Sequence, residues 1–446
     1  MTDLKKCGHQ GLNLLNATDA AKQVAAGHIT AEKLVADCLQ RIQERDPRIG
    51  AWKFLDPAQA LAQARACDNG ERTGPLLGVP VGIKDNFDTK DMPTEYGTSV
   101  YPGHRPKADT ESVAVLRRAG AVILGKTVTS EFAGPYPGPT LNPHDTTRSP
   151  GVSSMGSAAG VADFMMPLAN GTQTGGSVIR PAALCGIYGY KGSFNHLDGT
   201  GVRHIKPSID TLGHFGRSLD DIELMRTVLV GQIFRPLSAP SAPPRIGICR
   251  TSEWHAAKPE TVAMIDFCNR RLRETGAHVT QVDLPVPFVR VMESSFDIIR
   301  MWELLKAHED EIAHHLTAFN PWFQGAVEQA RGYTETDFND ALEEAAAVRR
   351  LLAGIFEEVD ILLTPSALGI APKDLLGIES HNFNYLWTLM YTPCVSLPAF
   401  TGPRRLPVGL QVIGPQNQDR TTLEYAKWIE AAIQEISEVY PVALAS

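Results

Sequence analysis

The chain has no block of lysine or arginine, and its 446 residues carry a formal net charge of −8. An acidic chain without a basic patch argues against nucleic acid or an anionic membrane as a partner. No apolar stretch approaches the length that spans a bilayer, and the N-terminal segment MTDLKKCGHQ lacks the apolar run of a signal peptide. We therefore expect a cytoplasmic protein whose partner is a small molecule. Its assembly into a homodimer stays open.

Cysteine pairs of the C-x-x-C type are also missing, since the seven cysteines are scattered along the chain. This pattern predicts reduced thiols in the core rather than a disulfide framework or a structural zinc site. The segment HEDEIAHH, from His308 to His315, is not an H-E-x-x-H zinc motif because Ile312 stands in the place of the second histidine, and it is interpreted as a solvated helix face. The glycine-rich loops match no phosphate-binding motif. We expect neither a metal nor a cofactor.

Strand and helix patterns alternate over most of the chain. The sequence predicts short apolar strands at residues 79–83, 121–124, 245–249, 278–282, 361–363, 395–397 and 409–413. It predicts helices at residues 31–45, 56–68, 109–118, 219–230, 259–274, 296–316, 337–357 and 422–434. This order favours an α/β fold, a single large domain with a mixed, twisted central β-sheet flanked by helices.

Four segments divide this predicted domain. N-terminal helices occupy residues 1–70, and a core that carries the chemistry occupies residues 71–234. A mainly helical insertion is expected at 235–360, after a linker rich in proline and serine. Residues 361–446 return to the sheet and end in a helix.

The stretch from Arg148 to Ala183 carries two glycine-flanked serine turns, Ser153-Ser154 and Gly175-Gly176-Ser177. Consecutive N–H groups in such a turn can hold an anion or an oxyanion, and a serine there can act as a nucleophile. A helix cap or a simple turn is an equally acceptable interpretation of each serine from sequence alone.

A serine nucleophile needs a base, and Lys84 is the candidate. It ends the apolar run of LLGVPVGIKDN, where burial would lower its pKa and leave a neutral amine that accepts a proton. The alternative is a strand-end lysine paired with Asp85. Ser153 and Ser154 would then relay a proton between Lys84 and Ser177.

Three motifs in this order, GVPVGIKDN, SPGVSSMGSAAGVA and GTQTGGSVIRPAALCG, resemble those of the amidase signature family of serine hydrolases. The resemblance covers nearly the whole chain. It implies a Ser–cis-Ser–Lys triad. It implies that Lys84 is the base, that Ser153 after a cis peptide bond is the bridging acid/base, and that Ser177 is the nucleophile. It also implies that the backbone of Thr174, Gly175, Gly176 and Ser177 forms the oxyanion hole.

The chain departs from the family pattern at four positions close to this triad. Val152 and Met155 replace glycines, Gln173 stands where aspartate is frequent, and the arginine is shifted to Arg180. These positions, with Phe132, Tyr136 and Trp387, are the candidate substrate-binding residues, although aromatic residues at such spacing are more often part of the core. The form QTGGSVIRPA resembles a malonamidase-like subgroup of small-amide and carbamate hydrolases.

The sequence thus predicts hydrolysis of a C–N bond in an amide through an acyl-enzyme. Carbamate, urethane or aryl-ester hydrolysis by the same mechanism stays open, because nothing in the sequence defines the acyl or leaving group. Two other classes also stay open: the A subunit of a glutamyl-tRNA amidotransferase, which works with partner subunits, and a non-catalytic binding protein on the same fold.

Overall fold

An 11-stranded β-sheet forms the centre of the computed structural model, which describes residues 11–203, 206–375 and 382–434. Its strands are β1 Trp52–Leu55, β2 Pro80–Lys84, β3 Val122–Thr127, β4 Leu168–Gln173, β5 Tyr188–Lys191, β6 Thr211–Gly216, β7 Ile246–Cys249, β8 Val279–Val282, β9 Ile361–Pro365, β10 Cys394–Thr401 and β11 Pro407–Ile413. They lie in the order β1-β3-β2-β4-β6-β5-β10-β11-β9-β7-β8.

Helices cover the sheet. They are α1 Ala17–Ala25, α2 Ala31–Ile49, α3 Pro57–Asp68, α4 Glu111–Arg118, α5 Met155–Ala162, α6 Ile179–Cys185, α7 Leu219–Leu229, α8 Pro259–Glu274, α9 Val286–Glu293, α10 Ser295–Ala307, α11 Glu309–His315, α12 Pro321–Ala330, α13 Glu335–Glu358, α14 Tyr385–Leu389 and α15 Asp419–Gln434. Within the described ranges, no helix is both long and apolar enough to cross a membrane.

The sheet is mixed, as the sequence predicts for this single α/β domain. β2 pairs in parallel with both β3 and β4, whereas β6, β5, β10, β11 and β9 follow in antiparallel pairs. β7 and β8 complete the far edge in parallel with β9. The segment 235–360 therefore contributes two strands of the common sheet as well as its helices.

The parallel pairing of β2 with β4 positions the candidate chemistry. Val81 lies opposite Leu168 and Gly82 opposite Ala169, so the carboxyl ends of both strands reach the same edge of the sheet. Lys84 ends β2 and Gln173 ends β4. Loops that follow parallel strands at such an edge are where α/β proteins commonly build their sites.

The predicted elements appear with shifted ends. α8 has the predicted bounds, and Thr30 accepts a hydrogen bond from Lys33 N as the predicted cap of α2. The predicted helix at 296–316 is divided into α10 and α11. The six described cysteines are free and buried, in agreement with the prediction, and Cys7 lies outside the described residues.

Candidate active site

Lys84 is fully buried at the end of β2, a strand in which every residue is buried. Its Nζ lies 2.9 Å from Ser153 Oγ and 2.8 Å from Thr172 Oγ1, hydrogen-bonded to both. Its backbone N–H donates to Asn170 Oδ1 at 2.7 Å. The pairing with Asp85 that the sequence also allowed is not formed, because Asp85 lies 3.4 Å from the ammonium of Lys126 instead.

Burial lowers the pKa of Lys84 from 10.5 to about 7, because the charged ammonium loses its hydration. The carboxylate of Asp210 raises this pKa and the ammonium of Lys206 lowers it, both by smaller amounts than burial. With a pKa of about 7, a substantial fraction of the side chain is the neutral amine at neutral pH, which can accept a proton as well as donate one.

Ser153 follows a cis peptide bond from Val152 and is fully buried. Its neighbour Ser154 donates from Oγ to the Thr172 carbonyl at 3.3 Å. Thr172 therefore contacts Lys84 through its hydroxyl and the serine pair through its carbonyl, and so connects β2, β4 and the start of α5. Both hydroxyls of the pair point to buried partners, but only that of Ser153 reaches Lys84.

The turn from Thr174 to Ser177 connects β4 to α6 and is anchored by Gln173. The Oε1 atom of Gln173 accepts from Val178 N at 2.9 Å and from Ile179 N at 3.0 Å, and its Nε2 donates to Thr388 at 3.1 Å. These bonds satisfy two N–H groups at the beginning of α6 that have no partner within the helix. Gln173 thus fixes where the helix begins relative to Ser177.

Glycine is required at two places in this turn. A Cβ atom on Gly175 would lie 2.2 Å from Tyr385 Cε1, and one on Gly176 would lie 2.9 Å from Asn384 Nδ2. Within the described residues, the backbone N–H groups of Gly175, Gly176 and Ser177 form no hydrogen bond. Three free N–H groups in one tight turn are donors for an incoming oxygen.

Thr174 is held by Asp210, whose carboxylate accepts from the threonine hydroxyl. The second oxygen of Asp210 accepts from Lys206 N at 3.0 Å. Asp210 thereby connects the serine turn to the segment before β6. Lys206 is buried, and burial lowers its pKa.

A cleft opens in front of the Thr174–Ser177 turn and has an empty volume of about 420 Å³, including its open mouth. Ser177, which is 9% exposed, lies in its wall. Among the described residues the lining comprises Ala133, Gly134, Pro135, Thr174, Gly175, Gly176, Ser177, Arg180, Lys206, Phe296, Arg300, Trp322, Asn382 and Tyr385. Lys84 and Ser153 are fully buried and do not belong to this lining, and the structure records no hydrogen bond between the Ser153 and Ser177 hydroxyls, both of which it describes.

Most of the candidate substrate-binding residues lie outside the lining. Arg180 lines the cleft, and its Nη2 donates to the Val152 carbonyl at 3.2 Å. The others do not belong to that lining: Phe132, Trp387, Val152 and Met155 lie in buried apolar clusters, Gln173 is buried at the end of β4, and Tyr136 is half-buried. The chain segments that carry Phe132 and Trp387 do reach the cleft, but through Ala133–Pro135 and through Tyr385.

Several residues of the site were missed by sequence reasoning. Thr172 could have been found, because Asn170 and Thr172 alternate on one face of β4 opposite the strand that carries Lys84. Phe296 and Arg300 are four residues apart on α10 and share a helix face, which looks like ordinary amphipathic spacing. Lys206 and Asn382 are in loops whose positions no local pattern indicates.

The segment HEDEIAHH is solvated only in part, which corrects its interpretation as an exposed helix face. His308 is fully buried, with its ring 4.4 Å from that of Phe132. Glu311 is buried too and accepts from Tyr101 and Arg203. Both residues therefore connect α10 and α11 to the loops beside the cleft.

Comparison with known proteins shows the family and the fold. The family model described as Amidase matches residues 33–423. The chain is 33% identical to the A subunit of the glutamyl-tRNA(Gln) amidotransferase of Chloroflexus aggregans, over 92% of this chain and 95% of that protein. A crystal structure of an amidase superposes with a TM-score of 0.86 at 28% identity, covering 94% of this chain and 100% of that one. A chain from a vestigial protein complex, linked to the origins of an s-triazine catabolic enzyme, superposes with a TM-score of 0.85 at 26% identity and covers 94% of this chain and 98% of its own.

Proposed function

Because this chain belongs to the amidase signature family and is an enzyme of the amidohydrolase class, we propose that it hydrolyses the C–N bond of a small amide with Ser177, Ser153 and Lys84. The observation that carries this proposal is the 2.9 Å contact of Ser153 Oγ with a fully buried lysine whose pKa is about 7. A lysine that is neutral at neutral pH is a base matched to the task.

The first half-reaction forms an acyl-enzyme. Ser177 Oγ attacks the carbonyl carbon while its proton passes to Ser153 and the Ser153 proton passes to Lys84. The carbonyl oxygen becomes an oxyanion that accepts from the N–H groups of the glycine turn. The C–N bond then breaks as the proton held by Lys84 returns through Ser153 to the leaving nitrogen, which departs as a neutral amine.

Water then hydrolyses the acyl-enzyme through the same proton relay, which now works in the opposite direction. A water molecule takes the place of the amine, gives a proton to the Ser153–Lys84 pair and attacks the acyl carbon. The ester bond to Ser177 breaks, its Oγ recovers the proton, and the carboxylic acid leaves. Catalytic hydrogen bonds often tighten only with substrate bound, so we expect the Ser177 and Ser153 hydroxyls to come into contact in the substrate complex.

A fluorophosphonate probe tests the nucleophile. The wild-type enzyme should be labelled at Ser177, and Ser177→Ala should lose both label and turnover. Ser154→Ala is the matched control in the serine pair, because within the described part of the chain the Ser154 hydroxyl donates to the Thr172 carbonyl, at 3.3 Å, and not to Lys84. This variant should keep both. Absence of label on folded wild-type protein would favour the binding-protein alternative, and equal losses in Ser154→Ala would contradict the assignment of Ser153 as the relay.

A second function is favoured by the relatives named as the A subunit of glutamyl-tRNA(Gln) amidotransferase. In that case the chain would release ammonia from glutamine and would need partner proteins for its full reaction. Turnover of simple amides by the purified chain, without preference for glutamine, would argue against this function. A panel of amides, carbamates and p-nitrophenyl esters, assayed with wild type and Ser177→Ala, distinguishes the amidase from carbamate or ester hydrolysis by the same triad.

A further inference from the structure

The loop before β6, residues 206–210, lies beside the Thr174–Ser177 turn. Gln173, the last residue of β4, pairs with Thr211, the first residue of β6, in an antiparallel register. The turn that follows β4 and the loop that precedes β6 therefore leave the sheet at the same end. Asp210 connects them, because its carboxylate accepts from the Thr174 hydroxyl. A displacement of the loop would thus displace the beginning of the turn.

Ser208, in the middle of this loop, is bound by two other parts of the chain. Glu303 of α10 accepts from the Ser208 backbone N–H, whose nitrogen lies 3.1 Å from Oε1 and 3.2 Å from Oε2, and it also accepts from the Ser208 hydroxyl. The Tyr391 hydroxyl donates to the Ser208 carbonyl at 2.7 Å. The N–H, the hydroxyl and the carbonyl of Ser208 thus each have a partner outside the loop, and these bonds fix the position of the loop.

The two partners of Ser208 are themselves held in place. Glu303 is 8% exposed, and a carboxylate that accepts from an N–H and a hydroxyl forms stronger hydrogen bonds than a neutral oxygen does. The ring of Tyr391 stacks on that of Phe194 with 4.1 Å between the centroids, and the Arg349 guanidinium lies 3.6 Å from the Tyr391 centroid. The 206–210 loop is therefore supported by two side chains that packing holds in one orientation.

We propose that Glu303 and Tyr391 are positioning residues, which hold the 206–210 loop, and through it the Thr174–Ser177 turn, in the geometry that stabilises the oxyanion. This inference rests on the proposed function. Backbone N–H groups stabilise an oxyanion only when they point at the place where it forms, and a displacement of about 1 Å can cost about 100-fold in rate. Because the oxyanion forms only after substrate has bound, a displaced turn should lower kcat and leave KM nearly unchanged.

The test compares Glu303→Met with Glu303→Gln at about pH 8.5, on an amide whose turnover depends on Ser177. Burial raises the pKa of Glu303 to about 7, so the wild-type side chain is a carboxylate at this pH. Glu303→Met removes both oxygens that accept from Ser208 and should lower kcat about tenfold or more, with KM within about twofold of the wild-type value. Glu303→Gln keeps one oxygen that can accept from Ser208 and should retain most of kcat.

Tyr391→Phe is the second variant. It removes one hydrogen bond to the loop and leaves the aromatic stack intact, so it should lower kcat by a smaller factor, about threefold or more, again without a change in KM. Labelling by a fluorophosphonate gives a readout other than turnover, since its phosphoryl oxygen takes the place of the oxyanion. The second-order rate of labelling at Ser177 should fall together with kcat in both variants.

A double-mutant cycle tests whether Glu303 acts through Asp210. Asp210→Ala breaks the connection to Thr174 and should itself lower kcat about tenfold or more. Once that connection is broken, the support from Glu303 no longer reaches the turn. Adding Glu303→Met should therefore lower kcat by no more than about a further threefold, far less than the product of the two single losses.

Glu344→Met is the matched control. Glu344 of α13 also accepts from a serine hydroxyl, that of Ser295 at the start of α10, but within the described part of the chain it forms no hydrogen bond to the 206–210 loop. This variant should leave kcat unchanged even where it lowers the melting temperature, and an equal fall of kcat would overturn the proposal. Circular dichroism and a thermal melt establish that each variant is folded; if Glu303→Met is not, Tyr391→Phe in the same cycle with Asp210→Ala carries the test.

Three outcomes separate the hypotheses. Turnover that depends on Ser177 but has the wild-type kcat in folded Glu303→Met and Tyr391→Phe, or a loss that appears only as a raised KM, overturns the positioning roles and leaves the proposed function intact. Single losses that multiply in the double variant overturn the connection through Asp210 and with it this inference. Absence of turnover that depends on Ser177, with every substrate in the panel, overturns the proposed function and this inference together.

Discussion

Lys84 has a pKa of about 7, so the rate of amide hydrolysis should follow the titration of this one side chain. Below that pH its Nζ is an ammonium, which cannot accept the proton of Ser153. Above that pH it is the neutral amine that the relay needs. We expect log kcat/KM to rise by one for each pH unit on the acidic side and to reach a plateau above pH 7.

The size of this effect comes from burial. At pH 7 a lysine with the ordinary pKa of 10.5 would be neutral in about one molecule in 3,000, whereas one with a pKa of about 7 is neutral in about half. Removal of the ammonium from water therefore increases the concentration of the base about 1,500-fold, equivalent to about 4 kcal/mol. A relay based on an exposed lysine would have almost no activity at neutral pH.

Two charges near Lys84 should shift the acidic limb of the pH–rate profile, the part in which kcat/KM rises with pH, in opposite directions. The carboxylate of Asp210 raises the pKa of Lys84, so Asp210→Asn should shift the limb to lower pH. The ammonium of Lys206 lowers that pKa, so Lys206→Met should shift the limb to higher pH. Asp210→Asn also weakens the contact with Thr174 and should lower the plateau, but the position of the limb does not depend on the plateau height.

The assay is kcat/KM for a neutral amide, measured from pH 5.5 to 9.5 with wild type and both variants. Glu303 needs a control, because burial raises the pKa of its carboxyl to about 7, in the same range. Glu303→Gln should leave the limb where it is. The reasoning is refuted if Glu303→Gln removes the limb, if the two charge variants move it in the same direction, or if the wild type shows no inflection between pH 6 and 8.

Other predictions concern the serine turn and the absence of metal. Gln173→Leu removes two hydrogen bonds from the start of α6 and should lower the free energy of unfolding in urea by about 2 kcal/mol, whereas Gln173→Glu keeps both acceptors and should lose less. Gly175→Ala should reduce kcat at least tenfold, because its Cβ would lie 2.2 Å from Tyr385; Gly325→Ala, where nothing lies within 4 Å, should not. EDTA should leave turnover unchanged, and a loss that zinc or magnesium restores would contradict the mechanism without metal.

The predicted fold follows from elements with strong local patterns, and the missed elements have weak ones. The predicted segments 79–83 and 121–124, which lie largely within β2 and β3, are short apolar runs, and α8 and α13 have helical periodicity over four or more turns. β4 has the sequence LANGTQ and β6 has TLGHFG, which combine glycine with polar residues of low strand propensity. These strands form because each is paired on both sides by partners distant in sequence, and no local window contains that information.

The candidate catalytic residues could be found from sequence because they lie in motifs, and the rest of the cleft could not. Arg300 is on a helix that begins more than 100 residues after the serine turn, and Asn382 is another 82 residues further on. Neither belongs to a motif, and their positions beside the turn depend on how α10 and the loop before α14 pack. The cleft is thus a product of tertiary packing, and only the turn at its base is encoded locally.

Three of the four departures from the family motifs, Val152, Met155 and Gln173, contribute to packing in the structure. Val152 and Met155 form a buried cluster with Val128, and a Cβ atom on Gly138 would lie 2.7 Å from the Met155 sulfur. Their larger side chains therefore fill space behind the serine pair, and Gln173 supports the helix that follows Ser177. We therefore expect Val152, Met155 and Gln173 to act through packing, whereas Arg180, the fourth departure, lines the cleft itself. A residue close to a catalytic serine in sequence can be remote from the substrate, since successive side chains in a strand or turn point to different surroundings.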